Sequence, residues 1–125
     1  MASIISLDPA RPILRLTYSG EVMASELKTS FDESVRMVKE SGVCSVLTNL
    51  QELTGGHGLF DLFAIIEMLQ AAGVPTNFKE AVVLTPGNPM FSRATFYETA
   101  CLNRGYNVRL FGSVAEAENW LVASA

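Results

Sequence analysis

Hydrophobic and polar positions recur along this chain with two periods. From Ile13 to Tyr18 the period is two, with Leu14, Leu16 and Tyr18 on one side and Arg15 and Thr17 on the other. That is the pattern of a half-buried strand. A short apolar run, Ile4 to Leu7, precedes it, and Asp8-Pro9-Ala10-Arg11-Pro12 between the two supplies turn residues. The two runs are expected to pair as a hairpin. Beyond Gly20 the period becomes helical from about Met23 to Glu40, where Leu27, Phe31, Val35 and Val38 fall on one narrow face at about 100° per residue. Lys28, Asp32, Arg36 and Lys39 cover the opposite side. Asp32 and Arg36, four apart, are expected to pair, for about 0.3 kcal/mol. Gly42 stands where a helix C-terminal glycine belongs.

The alternation then repeats. Val43 to Leu50 reads as a strand, Thr54 to Gly58 as a loop, and Leu59 to Ala72 as a helix ended by Gly73 and Pro75. Ala81 to Thr85 is a strand apolar enough to be covered on both faces. Pro86 to Pro89 is a loop, followed by a helix to about Asn103 that Gly105 ends. Asn107 to Phe111 is the last strand. Ser113 and Glu116 have capping-box spacing and open a final helix carrying Ala117, Trp120 and Leu121. The expected order is ββαβαβαβα. Strands separated by helices need crossovers, so the sheet is mixed but mostly parallel, with right-handed β-α connections in an α/β domain spanning residues 1–125.

Composition narrows the function. The chain has 125 residues, enough for one domain that buries roughly two thirds of its unfolded surface. Its net charge is −4 and it lacks a basic cluster, so neither nucleic acid nor an anionic membrane surface is an expected partner. Met1 to Ser6 lacks the basic and apolar segments of a secretory signal. The longest apolar run, Leu62 to Ile66, is far shorter than the roughly 18 residues of a membrane span. A cytoplasmic protein is therefore expected. Cys44, assigned to a strand, and Cys101, on a helix, are expected to be buried thiols. With a single histidine, no metal site is expected, and no cofactor motif is present.

Three stretches carry a family resemblance. Leu16-Thr17-Tyr18-Ser19-Gly20-Glu21 leads into the first helix, and Val46-Leu47-Thr48-Asn49-Leu50 forms the central strand. Val108-Arg109-Leu110-Phe111 is followed by Ala115-Glu116-Ala117-Glu118-Asn119-Trp120-Leu121. With the element order, they resemble the SpoIIAA-like group of the STAS superfamily over nearly the whole chain. The resemblance implies that fold and a regulatory, protein-binding role. In the anti-sigma-factor antagonists of that superfamily, an Asp-Ser-Ser-Gly-Leu motif before the second helix is phosphorylated on serine. The corresponding residues here are Gly55-Gly56-His57-Gly58-Leu59. Only Gly58-Leu59 fits the motif, so the resemblance does not carry the serine switch over to this chain.

Two candidate sites follow from the residues. The loop Thr54, Gly55, Gly56, His57, Gly58 precedes a helix, where free N–H groups and the helix dipole could hold an anion. A turn needing positive φ explains the glycines equally well. It is neither a P-loop nor a dinucleotide fingerprint. His57 would need an orienting carboxylate for catalysis, with Glu52 or Asp61 the nearest in sequence; otherwise it is an exposed or turn-stabilising residue. Thr54 is the hydroxyl nearest the missing phosphorylation site.

The second site is the helix that follows. From Leu59 to Leu69 every residue except Asp61 and Glu67 is apolar. Leu59, Leu62, Ile65, Ile66 and Leu69 make the natural core face, which leaves Phe60, Phe63, Ala64 and Met68 on the outer side. Phe91 and Phe96 of the third helix lie off that helix's own apolar stripe. Burying two Phe and one Met gains roughly 5–9 kcal/mol gross, against about 4–15 kcal/mol for association. A homodimer or a protein partner, an apolar ligand, or the chain's own loops would each cover these groups. The leading expectation is a non-enzymatic interaction domain that self-associates through its second and third helices. The alternative is a carrier or sensor of a small apolar or anionic ligand near Gly55–Gly58.

Overall fold

In the computed structural model, which describes residues 3–74 and 77–123, the two sequence periods resolve into five strands and four helices. These are β1 (Ser3–Leu7), β2 (Leu14–Glu21), α1 (Ala24–Ser41), β3 (Ser45–Gly55), α2 (Leu59–Ala71), β4 (Lys79–Val83), α3 (Phe91–Leu102), β5 (Asn107–Phe111) and α4 (Val114–Val122). The order ββαβαβαβα is the one expected. Pro75, assigned above to the end of the second helix, lies outside the described residues.

The strands lie side by side in chain order, β1-β2-β3-β4-β5. β1 pairs antiparallel with β2, Ser6 opposite Arg15, and the remaining pairs are parallel. Each parallel step needs a crossover, and a common hand of connection puts α1, α2 and α3 on one face of the sheet. α4 follows the last strand and covers the other face. Strand parity sorts the side chains accordingly. Leu14, Leu16 and Tyr18 of β2, Val46 of β3, Val82 of β4 and Val108 of β5 enter the core under the three helices. Ile13, Leu47, Ala81 and Val83 meet Ala117 and Leu121 on the α4 side.

Some local expectations shift. β3 begins at Ser45, where pairing with Lys79 of β4 starts, and runs to Gly55 rather than Leu50. It is held that far by the C-terminal half of β2, with Ser19 opposite Glu52, Gly20 opposite Leu53 and Glu21 opposite Gly55 across two register shifts. Cys44 therefore precedes the strand and is only half-buried, whereas Cys101 is buried. Arg36 bonds Glu40 through both carboxylate oxygens (3.0 and 3.1 Å) and also pairs with Glu33. The expected Asp32 pair gives way to these two longer carboxylates, one turn to either side. At the start of α4 the Ser113 hydroxyl accepts the Glu116 N–H at 3.2 Å, the serine's half of the capping box.

On the α4 side, the N-terminal hairpin is tied to the last helix. Arg15 donates through Nε to Asp8 at 2.8 Å and pairs through its other end with Glu118. Arg11 reaches the same glutamate at 3.1 Å.

Candidate functional site

The loop ahead of α2 is built against the backbone of Val22. Thr54 and Gly55 belong to β3, so the loop proper is Gly56–Gly58. Gly56 has φ +107°, and a Cβ there would stand 2.5 Å from the Val22 carbonyl oxygen. Close approach and left-handed backbone both exclude a side chain. His57 Nδ1 lies 2.7 Å from that same oxygen. A carbonyl only accepts, so Nδ1 carries the proton and donates. Asp61, named above as a potential partner of His57, instead accepts the Gly58 N–H at 2.9 Å and places its carboxylate at the positive end of α2. Among the described residues, no carboxylate hydrogen-bonds His57.

α2 divides along its length. Ile65, Ile66 and Leu69 are buried, with Leu62 partly so. Leu59 was placed on the core face by angle, yet it is 49% exposed. A helical wheel records direction and not depth along the axis, and the first turn overhangs the core. Phe60 is 93% exposed and Phe63 39%, with Ala64 exposed beside them. The Arg104 guanidinium lies 5.3 Å from the Phe63 ring centre, steadied by a 3.0 Å bond to the Ala100 carbonyl. Met68, Phe91 and Phe96 are half-buried against the chain's own core. The six side chains expected on one surface thus split, and only Phe60, Phe63 and Ala64 face clearly outward.

A third feature lies inside. Between the sheet and α1, α2 and α3 is a cavity of about 120 Å³, lined almost wholly by apolar side chains. Glu80 of β4 faces it and is 8% exposed. One of its oxygens accepts from Tyr97 Oη at 2.7 Å and the other from Thr48 Oγ1 at 2.6 Å. Burial holds the Glu80 carboxyl above its ordinary range, partly offset by these two bonds. Burial, then the adjacent Glu80 charge, raises the Tyr97 phenol, and the same two causes push the Cys101 thiol up to about 12. Tyr18 and Ser30 form a separate buried pair at 2.7 Å, and burial lifts Tyr18 to about 12. No buried side-chain nitrogen or oxygen among the described residues lacks a partner.

The sequence reading missed Glu80 because it began the strand at Ala81. Carrying the strand back one residue would have found it, since Glu80 shares parity with Val82 and Leu84 and so points into the core.

No described helix is long and apolar enough to cross a membrane, and no described group of three or more His, Cys, Asp or Glu could hold a metal ion. The chain matches no family model and no curated protein sequence. In three dimensions it is similar to an uncharacterised DUF3478-family protein with a SpoIIAA-like fold from Shewanella loihica PV-4, with TM-score 0.61, 15% identity and 96% and 92% of the two chains covered. It is similar to the anti-sigma factor antagonist SpoIIAA in its unphosphorylated form, with TM-score 0.66, 9% identity and 98% and 100% coverage. It also resembles an anti-sigma factor antagonist from Mycobacterium paratuberculosis, with TM-score 0.60, 15% identity and 97% and 93% coverage.

Proposed function

We propose, on the premise of this SpoIIAA-like fold, that the protein is a non-enzymatic regulatory domain that pairs with a second copy of itself through the first two turns of α2. The observation that carries the reading is Phe60, 93% exposed in a run with Leu59, Phe63 and Ala64. A phenylalanine so placed gains nothing from the monomer's own core. In a two-fold dimer the same patch is used by both copies. Phe60 from each side, with the part of Phe63 still exposed, then gains roughly 4–8 kcal/mol gross, at the lower end of the roughly 4–15 kcal/mol that association costs. The expected result is a weak, concentration-dependent dimer, with half-buried Met68, Phe91 and Phe96 at its margin.

The loop supports the rest of the reading. His57 is anchored by a backbone carbonyl and not by a carboxylate, which speaks for binding over catalysis. Gly55, Gly56 and Gly58 offer no hydroxyl for a serine-type switch, and Thr54 is an exposed residue at the end of β3.

Sedimentation equilibrium over a wide concentration range tests this. Wild type should move toward twice the monomer mass as concentration rises. The double variant Phe60→Ser, Phe63→Ser should stay monomeric and folded, and Phe60→Ser alone should weaken the dimer with an unchanged unfolding midpoint. A wild-type chain that remains monomeric at millimolar concentration would sink the reading.

A further inference from the structure

The void under α1, α2 and α3, at about 120 Å³, is of the order that admits a molecule the size of benzene. α1 shows its effect. Of that helix's 18 residues only Leu27 and Ser30 are fully buried, and its inward stripe of Phe31, Val35 and Val38 stays half-exposed over the space. The polar content of the wall is specific. Glu80 is held in one orientation by Thr48 and Tyr97. Each carboxylate oxygen offers two acceptor positions, so each keeps one beyond the bond it already accepts. Among the described residues, no cation pairs with this acid.

We infer that this cavity is a binding site for one small, mostly apolar molecule with a single neutral hydrogen-bond donor, of the phenol or indole kind, whose donor is accepted by Glu80. The volume excludes anything much larger than a single ring system or a short branched chain. An anion would meet the carboxylate. An ammonium would meet Arg93, which also lines the void and whose guanidinium donates to the Met90 sulfur at 3.2 Å. A plain hydrocarbon fits the walls but leaves the free acceptor positions of Glu80 without a donor. This site is separate from the α2 surface and does not depend on self-association.

Titration of the full chain with phenol and with benzene, followed by calorimetry and by amide chemical shifts, tests the assignment. Phenol should bind at least tenfold more tightly than benzene, with shifts centred on Thr48, Val82 and Ala94. Glu80→Met should bring phenol down to the affinity of benzene. Ala94→Leu should fill the space and abolish binding of both, and Ser34→Leu on the outer side of the void serves if Ala94→Leu does not fold. Absence of binding by either compound at millimolar concentration overturns the assignment. So does a phenol preference that survives Glu80→Met, or wild-type affinity in the filled variant.

Discussion

On the α4 face of the sheet, Ile13, Leu47, Ala81 and Val83 are closed over by one nine-residue helix. On the opposite face three helices cover the strands, yet they leave a cavity and enclose Glu80 and Tyr18. The small side chain of Ala117 is fully buried on the α4 side, where it lets the helix lie close to Ala81 and Val83. Trp120 then packs against Phe111 with ring centres 5.5 Å apart and planes tilted by 46°, and Lys79 Nζ lies 5.0 Å from the centre of the indole. On the other face a cavity of about 120 Å³ remains between the sheet and the helices, and α1 bridges it with Phe31, Val35 and Val38. The number of elements covering a face thus does not decide whether it closes without a void, and the face that holds the cavity is the one suited to accommodating a guest.

Substitutions on the two faces should therefore differ in cost. Ile13→Ala removes a fully buried side chain and leaves a new cavity, and should cost about 3 kcal/mol in urea unfolding. Val35→Ala, half-exposed at the edge of an existing void, should cost about 1 kcal/mol. Equal losses would break the contrast.

The pH dependence of stability sharpens it next. Burial raises the Glu80 carboxyl above its ordinary 4.5, so the folded chain holds that proton more tightly than the unfolded one. Stability then falls as pH rises from about 4.5 to the folded value, and no further beyond it. Glu80→Gln should remove this decline, so that the variant gains on wild type as pH rises through that interval. Parallel profiles would show that folding does not raise the Glu80 carboxyl.

The smallest effect is expected on the α4 side, at Arg15→Gln. The Ala10 N–H and Arg15 hold Asp8 below its ordinary value, and Arg15 does the same for Glu118. Their contribution is present above the unfolded carboxylate range and is lost as pH falls through the folded values. The stability difference between wild type and Arg15→Gln should accordingly be small at neutral pH and vanish in acid.

The sheet and its helices were legible because they rest on local periodicity. The alternation of Leu14, Leu16 and Tyr18 and the spacing of Leu27, Phe31 and Val35 each name an element and its inner face. The outward direction of Phe60 and Phe63 was legible on the same grounds. The positions of Leu59, Met68, Phe91 and Phe96 were not, because exposure at a helix end or margin depends on neighbours distant in sequence. Glu80 stayed hidden for a related reason. Its partners Thr48 and Tyr97 stand 32 and 17 residues away and meet it only across neighbouring strands and a helix.

By itself the sequence determined the order ββαβαβαβα and the inner faces of β2 and α1, since both follow from side-chain spacing within a few residues. Only the tertiary structure decided that a buried acid faces a cavity, that His57 leans on Val22, and that the cavity lies on the face covered by three helices. Those properties arise from how separate elements fit in space, and no period along the chain encodes the gap left between them.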